Sequence, residues 1–145
     1  MARRLDQVNW VIYHANCPDG MTGAWVASKT YGRSVLAQER VSLVPIVFHA
    51  AQYGQPLPEI PDGASVLMVD FSFPRPILDA LAARCKLWVI DHHKTAQADL
   101  AGAPYADFDM ERSGGGLAWD LLMSMTRPPL VNYTEDRDLW RWKLP

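Results

Sequence analysis

Residues that bind divalent metals stand at the points where three apolar, strand-like segments end. His14 and Asp19 follow the first of these segments, Asp70 follows another, and the triplet Asp-His-His at 91–93 follows a third. Because the carboxyl ends of parallel strands share one edge of a sheet, these side chains should converge there. A mixed set of carboxylates and imidazoles suits Mn²⁺, Fe²⁺ or Zn²⁺ better than Ca²⁺ or an all-oxygen Mg²⁺ site.

The alternative for a single aspartate at a strand end is a turn or a helix cap. For Asp70 alone, that interpretation would be preferred. Adjacent His92 and His93 after an aspartate are harder to explain structurally, since histidine is uncommon and imidazole is a frequent metal ligand. The joint pattern therefore favours a metal site.

The elements that must position these residues alternate between strand and helix patterns. The predicted strands are 8–13, 41–48, 64–69, 87–90 and 104–108, and the predicted helices are 21–30, 77–84, 115–125 and 130–140. Pro45 indicates an edge position or a bulge for the second strand, and Ser113 is typical of a helix N-cap. This alternation predicts an α/β fold with a doubly wound, mainly parallel sheet of five strands.

Length, composition and charge limit the class of protein. A chain of 145 residues with 49% hydrophobic and 21% charged residues is expected to fold as one domain. A net charge of -2 argues against a protein that coats DNA through a basic surface. Its apolar runs are too short to span a membrane, and Cys17 and Cys85 are too few for a disulfide framework, so we expect a cytoplasmic protein without a membrane partner.

The motifs of this chain resemble, in order, those of the DHH phosphoesterase family. They are His14 with Asp19-Gly20, 69–72 (Val-Asp-Phe-Ser), 91–93 (Asp-His-His), 113–116 (Ser-Gly-Gly-Gly) and 136–138 (Asp-Arg-Asp). The triplet alone is a weak signal, but five ordered elements in the right context are specific. Segments 13–20 and 135–142 look most like a bacterial and phage branch described as oligoribonuclease or exopolyphosphatase-related.

The resemblance implies two bound divalent ions, with Mn²⁺ expected and Mg²⁺ or another divalent ion as the alternative. It assigns metal-binding roles to His14, Asp19, Asp70, His92 and Asp136. His14 would bind the first ion, Asp70 would bridge both, and the other three would complete the second position. Asp138 is the alternative to Asp136, and would otherwise be a charge paired with a neighbouring arginine.

Two residues of the triplet are given catalytic roles by the same resemblance. His93 would contact the substrate phosphate. Asp91 would orient a histidine by accepting its ring N–H, as metal-bound imidazoles generally require.

The first loop departs from the family pattern. Most members have two aspartates two residues apart, whereas this chain has Cys17 where the earlier one should stand. The Cys17 thiolate could be a soft ligand, Asn16 could substitute, or the first metal could be weakly held, which we favour. A small buried side chain is an equally good interpretation of Cys17.

Glycines and tryptophans offer further binding groups. Ser113, Gly114 and Gly115 could present free backbone N–H groups to a substrate phosphate at a helix N-terminus, although an ordinary helix start capped by Ser113 explains them equally well. Base stacking on tryptophans is the less favoured interpretation, since core or interface positions are commoner. The tryptophans concerned are Trp119, Trp140 and Trp142.

The resulting hypothesis is hydrolysis by a metal-activated water of phosphodiester or phosphoanhydride bonds. The candidate substrates are short oligonucleotides, including short single-stranded nucleic acid, cyclic nucleotides and polyphosphate. Members of the family carry a second, C-terminal substrate-binding domain that residues 1–145 lack, so a homodimer that completes the cleft is one expectation. The competing hypothesis is a non-catalytic module that binds metal or nucleotide.

Overall fold

Five strands and five helices alternate along the chain in the computed structural model, which describes residues 4–32 and 45–145. The strands are β1 (Trp10–His14), β2 (Val47–Ala51), β3 (Ser65–Val69), β4 (Lys86–Asp91) and β5 (Ala106–Phe108). The helices are α1 (Pro18–Tyr31), α2 (Arg75–Ala82), α3 (Lys94–Asp99), α4 (Gly114–Leu122) and α5 (Pro129–Asp138). The predicted α/β class is confirmed.

The sheet is entirely parallel, with strand order β2-β1-β3-β4-β5. After β1 the chain adds β2 on one side of it, and then returns to add β3, β4 and β5 on the other side. The direction of winding therefore reverses between β1 and β3. In open α/β sheets, ligands bind at such a reversal, beyond the carboxyl ends of the strands. His14 ends β1 and Asp70 follows β3, so both lie at this point.

Helices cover both faces of the sheet because apolar side chains alternate along its strands. Val11 and Leu67 are buried with α1 and α4, whereas Ile12 and Met68 on the opposite face are buried with α2. All four are fully buried. Each contributes roughly 1.5–3 kcal/mol through burial, which makes the sheet a rigid support for its carboxyl edge.

Several predicted boundaries are wrong. Strand β2 runs from Val47 to Ala51, so Pro45 lies before the strand and not within it. The strand is at the edge of the sheet, as Pro45 indicated. Residues 41–44 of the predicted strand lie outside the described part of the chain. Helix α1 begins at Pro18, since proline suits the first helical position, and this places Asp19 in the first turn. Helix α3 was not predicted because its six residues carry no buried apolar side chain.

No helix within residues 4–32 and 45–145 has the length and apolar character that crossing a bilayer requires.

Candidate metal centre

Three overlapping groups of potential metal ligands meet at the carboxyl edge of the sheet. They are His14, Cys17 and Asp70; Asp70, His92 and His93; and Asp19, His92 and Asp138. Within each group the ligand atoms lie within 4.8 Å of one another. The structure thus brings together four of the five predicted ligands, and Asp138 takes the place of Asp136.

Asp70 is the residue that connects the groups. Its Oδ1 atom lies 3.1 Å from His92 Nε2, and its Oδ2 atom lies 3.7 Å from His14 Nδ1 and 3.4 Å from Cys17 Sγ. The two oxygens of one carboxylate therefore face different ligand groups. The Asp70 backbone has a left-handed φ of 58°, and its N–H donates to the Ile90 carbonyl over 2.9 Å.

Two buried polar atoms of this centre show that its residues fit a cation. His14 Nδ1 and Asp70 Oδ1 have no hydrogen-bond partner, and the contact between Asp70 Oδ1 and His92 falls short of hydrogen-bond geometry. Leaving a buried polar atom unsatisfied costs about 1–3 kcal/mol, and more for a charged one. Divalent ions bound in the ligand groups that contain His14 and His92 would satisfy these two atoms.

The surrounding charge is strongly negative. Burial alone would lower the pKa of His92, but Asp70, together with Asp138 and Asp19, raises it to about 9. Burial raises the pKa of Asp19 to about 7, and the neighbouring Asp70 charge contributes to the rise. Carboxylates packed this closely repel one another, so the centre favours a positively charged ligand.

Asp19 is held by the start of helix α4. Its Oδ2 accepts the Gly114 N–H over 2.6 Å, and its Oδ1 accepts the Gly115 N–H over 3.0 Å. The positive end of a helix dipole stabilises a carboxylate in this position. These bonds orient Asp19 towards His92, whose Nε2 lies 3.8 Å from Asp19 Oδ2.

The same bonds correct the predicted phosphate-binding role of Ser113, Gly114 and Gly115. The glycine N–H groups are taken by Asp19, and Ser113 Oγ caps the helix by accepting the Gly116 N–H over 3.1 Å. All three residues are buried. The segment therefore positions a metal ligand instead of offering free donors to a substrate.

Asp91 contacts the ring of His93, and its role in orienting a metal-bound histidine stays a prediction. Asp91 is fully buried and its Oδ1 lies 2.7 Å from His93 Nδ1, while Ser72 Oγ donates to its Oδ2 over 2.6 Å. Burial alone would raise the pKa of Asp91, but hydrogen bonds from His93, Ser72 and the His92 N–H hold it below its usual range. The same hydrogen bond, which His93 donates to Asp91, raises the pKa of His93.

Asp136 is not a member of the centre, which corrects its predicted metal role. Its carboxylate accepts the backbone N–H groups of Lys143 at 3.0 Å and Leu144 at 3.2 Å. Asp138 Oδ2 lies 3.4 Å from His92 Nε2. Residues two apart on a helix point about 200° apart, so only one of the two can face the sheet edge. The phase of helix α5 is therefore the signal that distinguishes them.

The first loop places Cys17 in the centre and leaves Asn16 out of the three groups. Cys17 Sγ donates to Asp70 Oδ2, and burial raises the pKa of this thiol to about 11. Asn16 has a left-handed φ of 54°, which shapes the turn before α1. Cys17 is placed for a ligand role, and a ligand role for Asn16 stays a prediction.

Tyr53 and Phe71 border the centre but were not singled out in the sequence. The Tyr53 ring lies 5.5 Å from His14, 4.7 Å from Phe71 and 6.3 Å from His93, measured between ring centroids. Burial raises the pKa of Tyr53 to about 12, helped by the charges of Asp91 and Asp70. No sequence pattern revealed Tyr53, because it lies in a turn after the edge strand.

Two cavities differ in their relation to the centre. One of about 490 Å³ adjoins it and is lined by Asp19, Asp138, Trp140 and Trp142, among others. The other, of about 570 Å³, opens near the amino ends of β3 and β4 and contains none of the grouped ligands. Trp119 lines neither; it is buried and stacks on Trp25 at 5.9 Å, so its predicted alternative as a base platform is wrong.

Comparisons with known proteins bear on the fold. No family model matches the chain. An uncharacterized protein of Acanthamoeba polyphaga mimivirus is 32% identical over 151 residues, which covers 97% of this chain and 35% of that protein. The chain thus spans about a third of the length of this relative.

A solved structure agrees with the architecture. The crystal structure of an uncharacterized protein from Helicobacter pylori G27 superposes with a TM-score of 0.69 at 15% identity, covering 94% of this chain and 45% of that one. Similarity at this level of identity concerns the fold alone. The chain therefore has a doubly wound α/β fold that recurs within a longer bacterial protein.

Proposed function

We propose that this chain is a divalent-metal-dependent phosphoesterase that hydrolyses phosphodiester or phosphoanhydride bonds. The observation that carries the proposal is the position of Asp70, whose two carboxylate oxygens face different ligand groups. Enzymes that hydrolyse phosphate esters with a pair of ions need a shared ligand of this kind. The preference for Mn²⁺ rests on the mixed oxygen and nitrogen ligands.

The residues divide into two sets that would hold the ions. His14, Cys17 and Asp70 form one set, and Asp19, His92 and Asp138 form the other. Asp70 would be shared with the second set through its Oδ1 atom, which lies 3.1 Å from His92 Nε2. When bound, such ions would supply activation of a water molecule and neutralisation of phosphate charge. The protein supplies rigid positioning, since His14 and Asp70 are fixed by the central strands and Asp19 by the start of α4.

His93 is positioned to act on the substrate. With its Nδ1 bonded to Asp91, its Nε2 is left to face an incoming phosphate. The Asp91 hydrogen bond raises the pKa of His93 and so favours the imidazolium form, whose Nε2–H can donate to a phosphoryl oxygen. A His93 side chain that is one-third exposed remains accessible to the substrate.

Cys17 is a poor candidate for a nucleophile, which separates this proposal from cysteine-based phosphate transfer. A catalytic cysteine needs a depressed pKa, whereas burial raises the pKa of Cys17 to about 11. The proposal therefore assigns the attacking oxygen to water and requires no covalent intermediate.

A non-catalytic binding module is the second candidate, because one of the two ligand sets contains a thiol that hydrogen-bonds to Asp70. A first position that binds metal weakly would leave the centre able to bind a ligand without hydrolysing it.

A release assay distinguishes the two candidates. Purified protein with Mn²⁺ is incubated with a short RNA, a cyclic dinucleotide, pyrophosphate and polyphosphate, and released phosphate and nucleotide are measured. We expect hydrolysis of at least one substrate that EDTA abolishes and Mn²⁺ restores. Absence of release from all four, in protein that still binds Mn²⁺, would favour the binding module.

A further inference from the structure

A cleft beside the metal centre is lined by exposed aromatic side chains. We define the tryptophan cleft by six of its lining residues: Asp19, Tyr133, Arg137, Asp138, Trp140 and Trp142. Its volume of about 490 Å³ is within the range that small-molecule sites occupy. Because Asp19 and Asp138 also belong to a ligand group, an occupant of the cleft would lie next to the metal centre.

The two tryptophans are held open to solvent by a defined backbone. Trp140 is 78% exposed and Trp142 is 53% exposed, and their ring centroids lie 5.6 Å apart. Both have a left-handed φ, of 52° and 48°, which is costly for a bulky residue. Such costs are retained where the surrounding structure imposes them, often at ligand sites.

Asp136 is the residue that imposes this conformation. Its carboxylate accepts the N–H groups of Lys143 and Leu144, and its carbonyl accepts the Arg141 N–H over 2.9 Å. The segment that carries both indoles is therefore tied back to helix α5. Hydrogen bonding thus fixes the backbone that carries the indoles at the mouth of the cleft.

The chemistry of the cleft selects an occupant with an aromatic part. Because Asp19 and Asp138 also line the cleft, a negatively charged part of that occupant would need the cations proposed for the neighbouring centre. Exposed indole faces stack on nucleobases without regard to sequence. Arg137 lies 5.2 Å from the Trp142 ring centroid and adds a positive charge at the cleft. Inorganic polyphosphate has no apolar part to fill this surface, whereas a nucleotide has both a base and a phosphate.

We propose that the tryptophan cleft binds the base of a nucleotide whose phosphate lies at the metal centre. The phosphate half of this inference rests on the proposed function, while the base half rests on the cleft itself. The substrate class is thereby narrowed to esters that carry a nucleoside, such as the end of a short oligonucleotide.

Two ligands that differ in the base alone test the inference. Adenosine monophosphate and ribose 5-phosphate are titrated by calorimetry, with Mn²⁺ present, into the wild type and into a Trp140→Ala/Trp142→Ala variant. We expect the wild type to bind adenosine monophosphate about 10- to 100-fold more tightly, the range that stacking supplies, and the variant to lose this preference. Met125→Ala, at an exposed residue outside the cleft, should keep it.

Equal affinity of the wild type for the two ligands, or no binding of either, would overturn the inference. So would a base preference that survives the double substitution. If the wild type is a dimer and the double variant is a monomer, while the two proteins bind each ligand with the same affinity, the surface joins protein copies instead of binding a base. A base preference combined with no hydrolysis of any substrate would refute the proposed function and leave base binding intact.

Discussion

Asp70 has two features that cost stability. Its left-handed φ is strained, and its buried carboxylate, of which Oδ1 has no hydrogen-bond partner, is unfavourable without a cation. The Asp70 N–H bond to Ile90 holds the backbone in place. The charge is therefore stabilised when a positive ligand binds.

Substitutions at the two aspartates of α5 should have separate effects. Asp138→Asn removes a charge 3.4 Å from His92 Nε2, so we expect weaker Mn²⁺ binding with little change in the free energy of unfolding. Asp136→Asn disturbs the acceptor of the Lys143 and Leu144 N–H groups, so we expect a loss of about 1–3 kcal/mol in the free energy of unfolding with Mn²⁺ affinity maintained. Calorimetry measures the Mn²⁺ affinity, and urea unfolding measures the free energy of unfolding. Weaker Mn²⁺ binding in Asp136→Asn, with a loss of stability in Asp138→Asn instead, would contradict the structure.

Cys17 should influence which metal is preferred. Its Sγ belongs to a ligand group with His14 and Asp70, and a sulfur ligand favours softer ions. We expect Cys17→Ser to weaken Zn²⁺ binding more than Mn²⁺ binding, measured by competition titration. Cys85→Ser, at the buried cysteine outside the three groups, is the matched control. Equal changes for both ions would show that Cys17 is a packing residue.

At the scale of elements, the start of helix α4 connects packing to the metal centre. A Cβ added at Gly114 would lie 2.5 Å from the Asp70 Cβ, closer than real Cβ contacts allow. The helix can approach β3 this closely because position 114 has no side chain. The same approach lets the Gly114 N–H reach Asp19.

Gly114→Ala should therefore affect both stability and metal binding. We expect a decrease of about 1–3 kcal/mol in the free energy of unfolding, since overpacking forces neighbours to shift, and weaker Mn²⁺ binding because Asp70 is displaced. Urea unfolding and calorimetry provide the measurements. Gly102→Ala is the comparison, because its added Cβ meets nothing within 4 Å and its cost is backbone strain alone. Unchanged Mn²⁺ affinity in Gly114→Ala would refute the link.

The elements also show what the sequence can and cannot predict. Convergence of His14, Asp70 and His92 was predictable, because strand ends in a parallel sheet share an edge. The choice between Asp136 and Asp138 required the phase of α5 against the sheet, which sequence patterns specify poorly. The left-handed segment around Trp140 and the approach of Tyr53 were not predictable, because they depend on tertiary hydrogen bonds and on turn geometry.

At the scale of the whole molecule, the centre couples metal binding to stability. A ligand that binds only the folded state stabilises that state by about 2.7 kcal/mol at a concentration 100-fold above its Kd. We expect Mn²⁺ to raise the melting temperature of the wild type relative to EDTA. Asp70→Asn should gain little from Mn²⁺, because it removes the negative charge that faces two ligand groups. A wild-type midpoint that is the same in Mn²⁺, Mg²⁺, Zn²⁺ and EDTA would remove the metal centre from the account.

The turnover of Asp70→Asn, on whichever substrate the release assay identifies, tests whether one carboxylate serves two ions. The substitution keeps the shape of the side chain and removes the charge that faces two ligand groups. We predict that hydrolysis in Mn²⁺ falls by several orders of magnitude while the fold is maintained. Asp62→Asn, at a side chain that is 83% exposed, should retain wild-type turnover. Wild-type turnover by Asp70→Asn would contradict the shared-carboxylate mechanism.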